Sequence, residues 1–148
     1  MKKIVITGGL GYIGTELCKI YSGYSWNDRI TVIDNRFISE RINQLRNWNI
    51  DFIHGDILDK EIISKYCWDA DVVHHLAGIT DVPRVKSESN VDQENKIKKV
   101  AEEGTQNILD VINDKCKIIL PSTHVVYEGL KEVKKDIQEN EQTYPLLS

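Results

Sequence analysis

Residues 3–14 read Lys-Ile-Val-Ile-Thr-Gly-Gly-Leu-Gly-Tyr-Ile-Gly, and this segment does most to constrain the fold. A short apolar, β-branched run ends in glycines at positions 8, 11 and 14, and a helical pattern begins directly behind them. Gly8 permits a tight turn, Gly11 lets backbone amides approach a phosphate, and Gly14 lets the helix lie close on the strand. The start of a helix leaves N–H groups unpaired and carries a partial positive charge. The segment therefore predicts a seat for the pyrophosphate of a dinucleotide, made of backbone rather than of charged side chains.

The rest of the chain repeats the same alternation. Apolar runs predict strands at about 3–7, 29–34, 50–54, 71–76 and 116–121, the short continuous type that suits strands covered on both faces. Between them, helical patterns follow Gly11 and recur at about 40–46, 59–67 and 93–113. Ile13, Leu17, Ile20 and Tyr21 are expected to form the buried stripe of the first helix, and Ile97, Ala101, Gly104 and Ile108 that of the longest. Gly104 in a helix interior marks a close helix–sheet approach. Alternating β and α units predict an α/β fold, a doubly wound parallel sheet of the Rossmann type. It has about five strands with helices on both faces, in one domain over residues 1–148.

Composition narrows the function classes. The 148 residues are 41% hydrophobic and 28% charged, enough for a packed core. The net charge of −4 argues against nucleic acid as a partner, since phosphate-backbone binding needs a basic face. The lysine groups 96, 98, 99 and 131, 134, 135 are interrupted by acids and read as solvated faces. No apolar run approaches the ~20 residues of a membrane span, and the run after Met1-Lys2-Lys3 breaks at Gly8-Gly9, unlike a signal peptide. Cys18, Cys67 and Cys116 are odd in number and lack C-x-x-C spacing. They read as reduced, packed thiols of a cytoplasmic protein.

Candidate site residues gather at predicted carboxyl ends of strands, where ligands of such sheets sit. Asp34 closes the second strand 20 residues after Gly14, the place for a carboxylate that binds an adenosine ribose and repels a 2′-phosphate. That favours NAD over NADP, although Arg36 is close enough to complicate the choice. After the third strand, Asp56 is assigned to an adenine amino group and Asp59 to the cap of the next helix. Leu76-Ala77-Gly78 offers small residues beside a nicotinamide ribose. His74 and His75 project to opposite faces of one strand and cannot share a metal, and His54 and His124 lack a partner at ligand spacing. Ser122 and Thr123 bring hydroxyls to the crevice edge, or form a plain strand-end turn.

Six pieces in order resemble the extended short-chain dehydrogenase/reductase family, the NAD-dependent sugar-nucleotide epimerases and dehydratases. They are Thr7-Gly8-x-x-Gly11-x-x-Gly14, Ile33-Asp34-Asn35, Gly55-Asp56-Ile57, His75-Leu76-Ala77-Gly78, Gly104-Thr105-Gln106-Asn107 and Ser122-Thr123-x-x-Val126-Tyr127. The resemblance implies bound NAD contacted by Gly8, Gly11, Tyr12, Ile13, Gly14, Asp34, Asn35, Asp56, Ile57, Leu76, Ala77 and Gly78. It implies a UDP- or dTDP-linked sugar as substrate, with Thr123 holding the reacting hydroxyl while a tyrosine phenolate removes its proton. A homodimer through the long helix is also in the family's repertoire.

The sequence departs from the family in two places. The family's Tyr-x-x-x-Lys pair is matched only by Tyr127 and Lys131, but Tyr127 belongs to the strand motif and Glu128-Gly129-Leu130 suits a turn. Residues 144–148, Tyr-Pro-Leu-Leu-Ser, resemble the approach to the catalytic tyrosine, so the last strands and the substrate domain are expected to be missing. Ala101 stands where relatives carry an asparagine. Three functions stay open: the cofactor half of an epimerase or dehydratase, a non-catalytic NAD module, and an inactive fragment. His124-Val125 after Thr123, in place of acidic residues, tilts the first toward epimerase.

Overall fold

The computed structural model describes residues 1–24, 27–79, 91–127, 137–138 and 140–143. Five parallel strands form one sheet: β1 (Lys3–Thr7), β2 (Arg29–Asp34), β3 (Asp51–His54), β4 (Val72–His75) and β5 (Lys117–Ile119). The helices between them are α1 (Tyr12–Tyr24), α2 (Ser39–Asn47), α3 (Lys60–Cys67) and α4 (Val91–Leu109). The spatial order is β3-β2-β1-β4-β5. The chain steps outward from β1 to β3, then returns to the other side of β1, as in a Rossmann sheet. Register is set by pairs such as Ile4 with Ile30 and Val72, and Thr7 with Ile33 and His75.

Strand alternation builds two cores from one sheet. On one face Ile4, Ile6, Ile30 and Val32 pack with Cys18 of α1 and with Ile42 and Leu45 of α2. On the other, Val5, Ile33 and Val73 pack with Ile63 and Cys67 of α3 and with Ile108 of α4. Both faces of the central strands are covered, which accounts for their continuous apolar runs. The cysteines are free thiols, as expected, with Cys18 and Cys67 buried and Cys116 half-buried. Burial pushes the Cys18 and Cys67 thiols up to about 12.

The helix stripes differ from those expected. Ile13 and Ile20 of α1 are 63% and 56% exposed, while Gly14 and Cys18 are buried and Leu17 and Tyr21 are half-buried against the core. The close approach of the helix is at Gly14, to the Gly8-Gly9 turn, while Ile13 is turned toward the crevice. On α4 the buried residues are Gly104, Asn107 and Ile108, with Ala101 exposed. The close approach at Gly104 is to Ile57 in the loop after β3, not to a strand: a Cβ there would lie 2.3 Å from Ile57 Cδ1.

Local chemistry sets the element ends. Asp59 caps α3, accepting from the N–H groups of Glu61 and Ile62. Asn49, at φ 56°, takes the left-handed turn after α2. The long helix ends at Leu109, short of the expected 113, and β5 covers only Lys117–Ile119, starting after Cys116, whose N–H turns back to the Asn113 carbonyl. The Glu128-Gly129-Leu130 turn, the lysines at 131, 134 and 135, the His124 side chain and residues 144–148 lie outside what is described. No helix among the described residues is long and apolar enough to cross a membrane.

Candidate functional site

A crevice of about 760 Å³ opens at the carboxyl ends of the strands, where the sheet order reverses between β1 and β4. Its floor is the glycine loop. Gly8 has φ +69°, donates its N–H to the Ile33 carbonyl (2.8 Å) and accepts from the Gly11 N–H (2.9 Å). A Cβ on Gly8 would stand 2.7 Å from the Ala77 backbone, and one on Gly14 would stand 2.6 Å from Gly9 Cα. On Gly11 it would meet the Gly8 carbonyl at 3.0 Å and Arg36 Nη2 at 3.7 Å, a slighter obstruction than at Gly8 or Gly14, and on Gly78 it would meet nothing within 4 Å. The bond at the head of α1 runs from the Thr15 N–H to the Gly11 carbonyl (3.0 Å), which leaves the preceding amides as the orphan donors of the helix start. Those amides belong to Tyr12, Ile13 and Gly14, all of which line the crevice.

At the β2 end, Asp34 is buried and holds the loop together. Its Oδ2 accepts from the Leu10 N–H (2.9 Å) and from Arg36 Nη2 (3.0 Å). Its Oδ1 accepts from the Arg36 N–H and from Arg36 Nε, both at 3.0 Å. The hydrogen bond to Asp34 raises the Arg36 pKa above its ordinary value, against a smaller opposing effect of burial. Next to this pair, Asn35 Nδ2 donates to Asp56 Oδ2 (2.9 Å), while Asp56 Oδ1 accepts from the Leu58 N–H (2.9 Å). Below them, Asn107 Nδ2 donates to the Ile57 carbonyl (3.0 Å) and ties α4 to the same loop.

The two adjacent histidines of β4 serve opposite layers, as their alternation predicts. His74 Nε2 meets the Tyr21 hydroxyl of α1 (2.7 Å). On the other face Thr105 Oγ1 gives its proton to the Ala101 carbonyl (2.5 Å). His75 Nε2 therefore donates to Thr105 Oγ1 (3.0 Å), and His75 Nδ1 accepts from Thr7 Oγ1 (2.8 Å). The Thr7 oxygen accepts in turn from the Ala77 N–H (3.3 Å). This chain links β1, β4 and α4 through a neutral imidazole at the crevice wall.

Burial lowers the pKa of both imidazoles below 6.5, with Lys117 adding to the effect at His74. As pH falls through 6.5 the unfolded chain takes up protons that the folded chain resists. The stability these groups contribute is thus fully present above 6.5 and is lost as pH falls toward their folded-state values. Unfolding free energies from urea titration should be level near neutral pH and decline below it, by at most about 1.4 kcal/mol per pH unit for each imidazole. His75→Gln should flatten that decline; an unchanged slope would remove His75 as its source.

All twelve residues assigned to a cofactor from the sequence line this crevice, from Gly8, Gly11, Tyr12, Ile13 and Gly14 through Asp34, Asn35, Asp56 and Ile57 to Leu76, Ala77 and Gly78. Thr123 does not; it is exposed beyond Leu120 and Pro121, which do line it. Lys96, Lys99 and Val100 of α4 form a further wall that sequence reasoning missed. Lys96 and Lys99 are exposed, as a solvated face requires, and also border the crevice. Positions 96, 100 and 104 share one side of the helix, so Gly104 was the available signal for Lys96 and Val100.

Residues 5–146 match the 3-beta hydroxysteroid dehydrogenase/isomerase family. A CDP-paratose 2-epimerase of Salmonella typhi is 30% identical over 95% of this chain and 42% of its own length. A dTDP-D-glucose 4,6-dehydratase of Dictyostelium discoideum is 34% identical over 92% of this chain and 32% of its own. Among solved structures, a variant of the UDP-glucuronic acid 4-epimerase of Bacillus cereus is in complex with UDP-4-deoxy-4-fluoro-glucuronic acid and NAD. It superposes with a TM-score of 0.77 at 30% identity, over 98% of this chain and 46% of that one. The UDP-glucose 4-epimerase of Brucella ovis in complex with NAD gives 0.75 at 26% identity, over 99% and 42%. The chain spans less than half the length of each of these proteins.

Proposed function

We propose that this chain, which belongs to the 3-beta hydroxysteroid dehydrogenase/isomerase family of extended short-chain dehydrogenase/reductases, is the NAD-binding part of an enzyme that oxidises and re-reduces a nucleotide sugar. One observation carries the reading. The crevice lies at the sheet's switch point, with a glycine loop at the head of a helix and a buried carboxylate at the end of β2. A cradle with this shape fits a dinucleotide pyrophosphate.

In this assignment the amides of Tyr12, Ile13 and Gly14 take the pyrophosphate, and the end of β2, with the Asp34–Arg36 pair, borders the adenosine ribose. Asn35, Asp56 and Ile57 border the adenine, and Leu76, Ala77 and Gly78 leave room for the nicotinamide ribose. NAD supplies the hydride acceptor when bound. Thr123 holds the reacting hydroxyl of a UDP- or dTDP-linked sugar, and epimerisation is favoured because His124 and Val125 follow it in place of acidic residues. Residues 1–148 act as one cofactor-binding domain, and the free, buried Cys18 and Cys67 suit a cytoplasmic protein.

Calorimetric titration of the purified chain with NAD tests the proposal. Saturable binding of one dinucleotide per chain is expected. Heats no greater than dilution at millimolar NAD would overturn it. Adding a panel of nucleotide sugars to the NAD-loaded chain then asks whether the sugar site lies within these residues.

A further inference from the structure

We propose that Arg36 sets the cofactor preference of this crevice and opens it to dinucleotides bearing a 2′-phosphate, so that NADP binds as well as NAD. The inference rests on the dinucleotide reading above and deepens it.

A carboxylate offers about four acceptor positions, two on each oxygen. At Asp34 all four are taken: the Leu10 N–H and Arg36 Nη2 on Oδ2, and the Arg36 N–H and Nε on Oδ1. An aspartate that selects NAD must keep oxygens available for the ribose hydroxyls and present a negative charge that repels a 2′-phosphate. Here it does neither. Its side chain is 2% exposed and neutralised by a two-pronged guanidinium, the strong form of charge-assisted bond.

Arg36 is the group that meets a ligand in its place. Its side chain is 52% exposed and lines the crevice. Its Nη2 lies 3.7 Å from where a Cβ of Gly11 would stand, so the cation overhangs the glycine loop between the phosphate seat and the ribose seat. The fork to Asp34 uses two of the five guanidinium N–H groups, and three remain for an anion. The nearest other carboxylate of the crevice, Asp56, is held by Asn35 and by the Leu58 N–H. The structure thus places a fixed cation at the mouth of the ribose seat, backed by a carboxylate that fixes its orientation.

The test is calorimetric titration of the full chain with NAD and with NADP, for the wild type, Arg36→Ala and Arg36→Lys, with circular dichroism confirming that each variant is folded. Wild-type affinities for the two should agree within about tenfold. Arg36→Ala frees the Asp34 carboxylate, so NADP should weaken by about tenfold or more relative to NAD. Arg36→Lys keeps the charge but not the fork and should fall between. NAD binding without NADP binding in the wild type overturns the inference and leaves the NAD reading standing. So does a relative affinity that Arg36→Ala moves by less than tenfold. If neither dinucleotide binds, both fall.

Discussion

Gly8→Val is expected to cost about 3 kcal/mol or more of folding stability, a large share of the roughly 5–15 kcal/mol that holds a domain together. Two effects add. Gly8 sits at φ +69°, where a β-branched residue is strained by about 1–3 kcal/mol. The new Cβ would also stand 2.7 Å from Ala77 Cα and N and 2.8 Å from the Leu76 carbonyl carbon. These are backbone atoms, and they cannot retreat freely. The Leu76 N–H is bonded to the Thr7 carbonyl (3.1 Å) and the Ala77 N–H to Thr7 Oγ1 (3.3 Å). Relief of the clash must therefore pull β4 away from β1 at the centre of the sheet. Urea unfolding of the variant beside the wild type measures this, and Gly8→Ala should retain most of the loss. A change below about 1 kcal/mol would mean that the loop and β4 do not meet as described.

Gly11→Leu should do the reverse and remove cofactor binding while the fold survives. A Cβ at Gly11 comes no closer to the protein than 3.0 Å, at the Gly8 carbonyl, and the rest of the side chain would extend into the crevice. Stability should change by about 1 kcal/mol or less. NAD affinity should fall by about a hundredfold or more, because the leucine fills the proposed pyrophosphate seat and screens the orphan amides of α1. Unfolding midpoint and NAD titration on the same sample separate the two effects. A folded Gly11→Leu that still binds NAD like the wild type would place the pyrophosphate elsewhere. Together the two variants distinguish a glycine needed by the sheet from a glycine needed by the ligand.

Much of this was legible in the chain itself. Parallel strands buried on both faces must be apolar throughout, so Ile4-Val5-Ile6 and Ile30-Thr31-Val32-Ile33 announce their place in the middle of the sheet. Glycines at 8, 11 and 14, a carboxylate at 34 and small residues at 77 and 78 mark strand ends, and parallel pairing brings all strand ends to one edge. The Asp59 cap follows from a rule that spans only three residues. These features depend on local backbone geometry or on side-chain alternation, and both are written in the order of residues.

What the order of residues did not fix depends on how closely separate elements approach. Periodicity places Ile13 and Ile20 of α1 on an apolar stripe, yet they are exposed, and the buried positions are Gly14, which packs on the Gly8-Gly9 turn, and Cys18 in the core. Gly104 signals a close approach, but only the packed structure identifies the neighbour as Ile57. Lys96 and Lys99 read as solvated and are exposed, but only the packed structure shows that they also border the crevice. Asp34 and Arg36 are two residues apart in any reading, but the lock between them requires the Leu10 amide, supplied by a loop 24 residues away, to complete the coordination of the carboxylate. Local rules determined which elements form and where their ends lie. Distances between elements, which no local rule encodes, decided which faces were buried and which charges met.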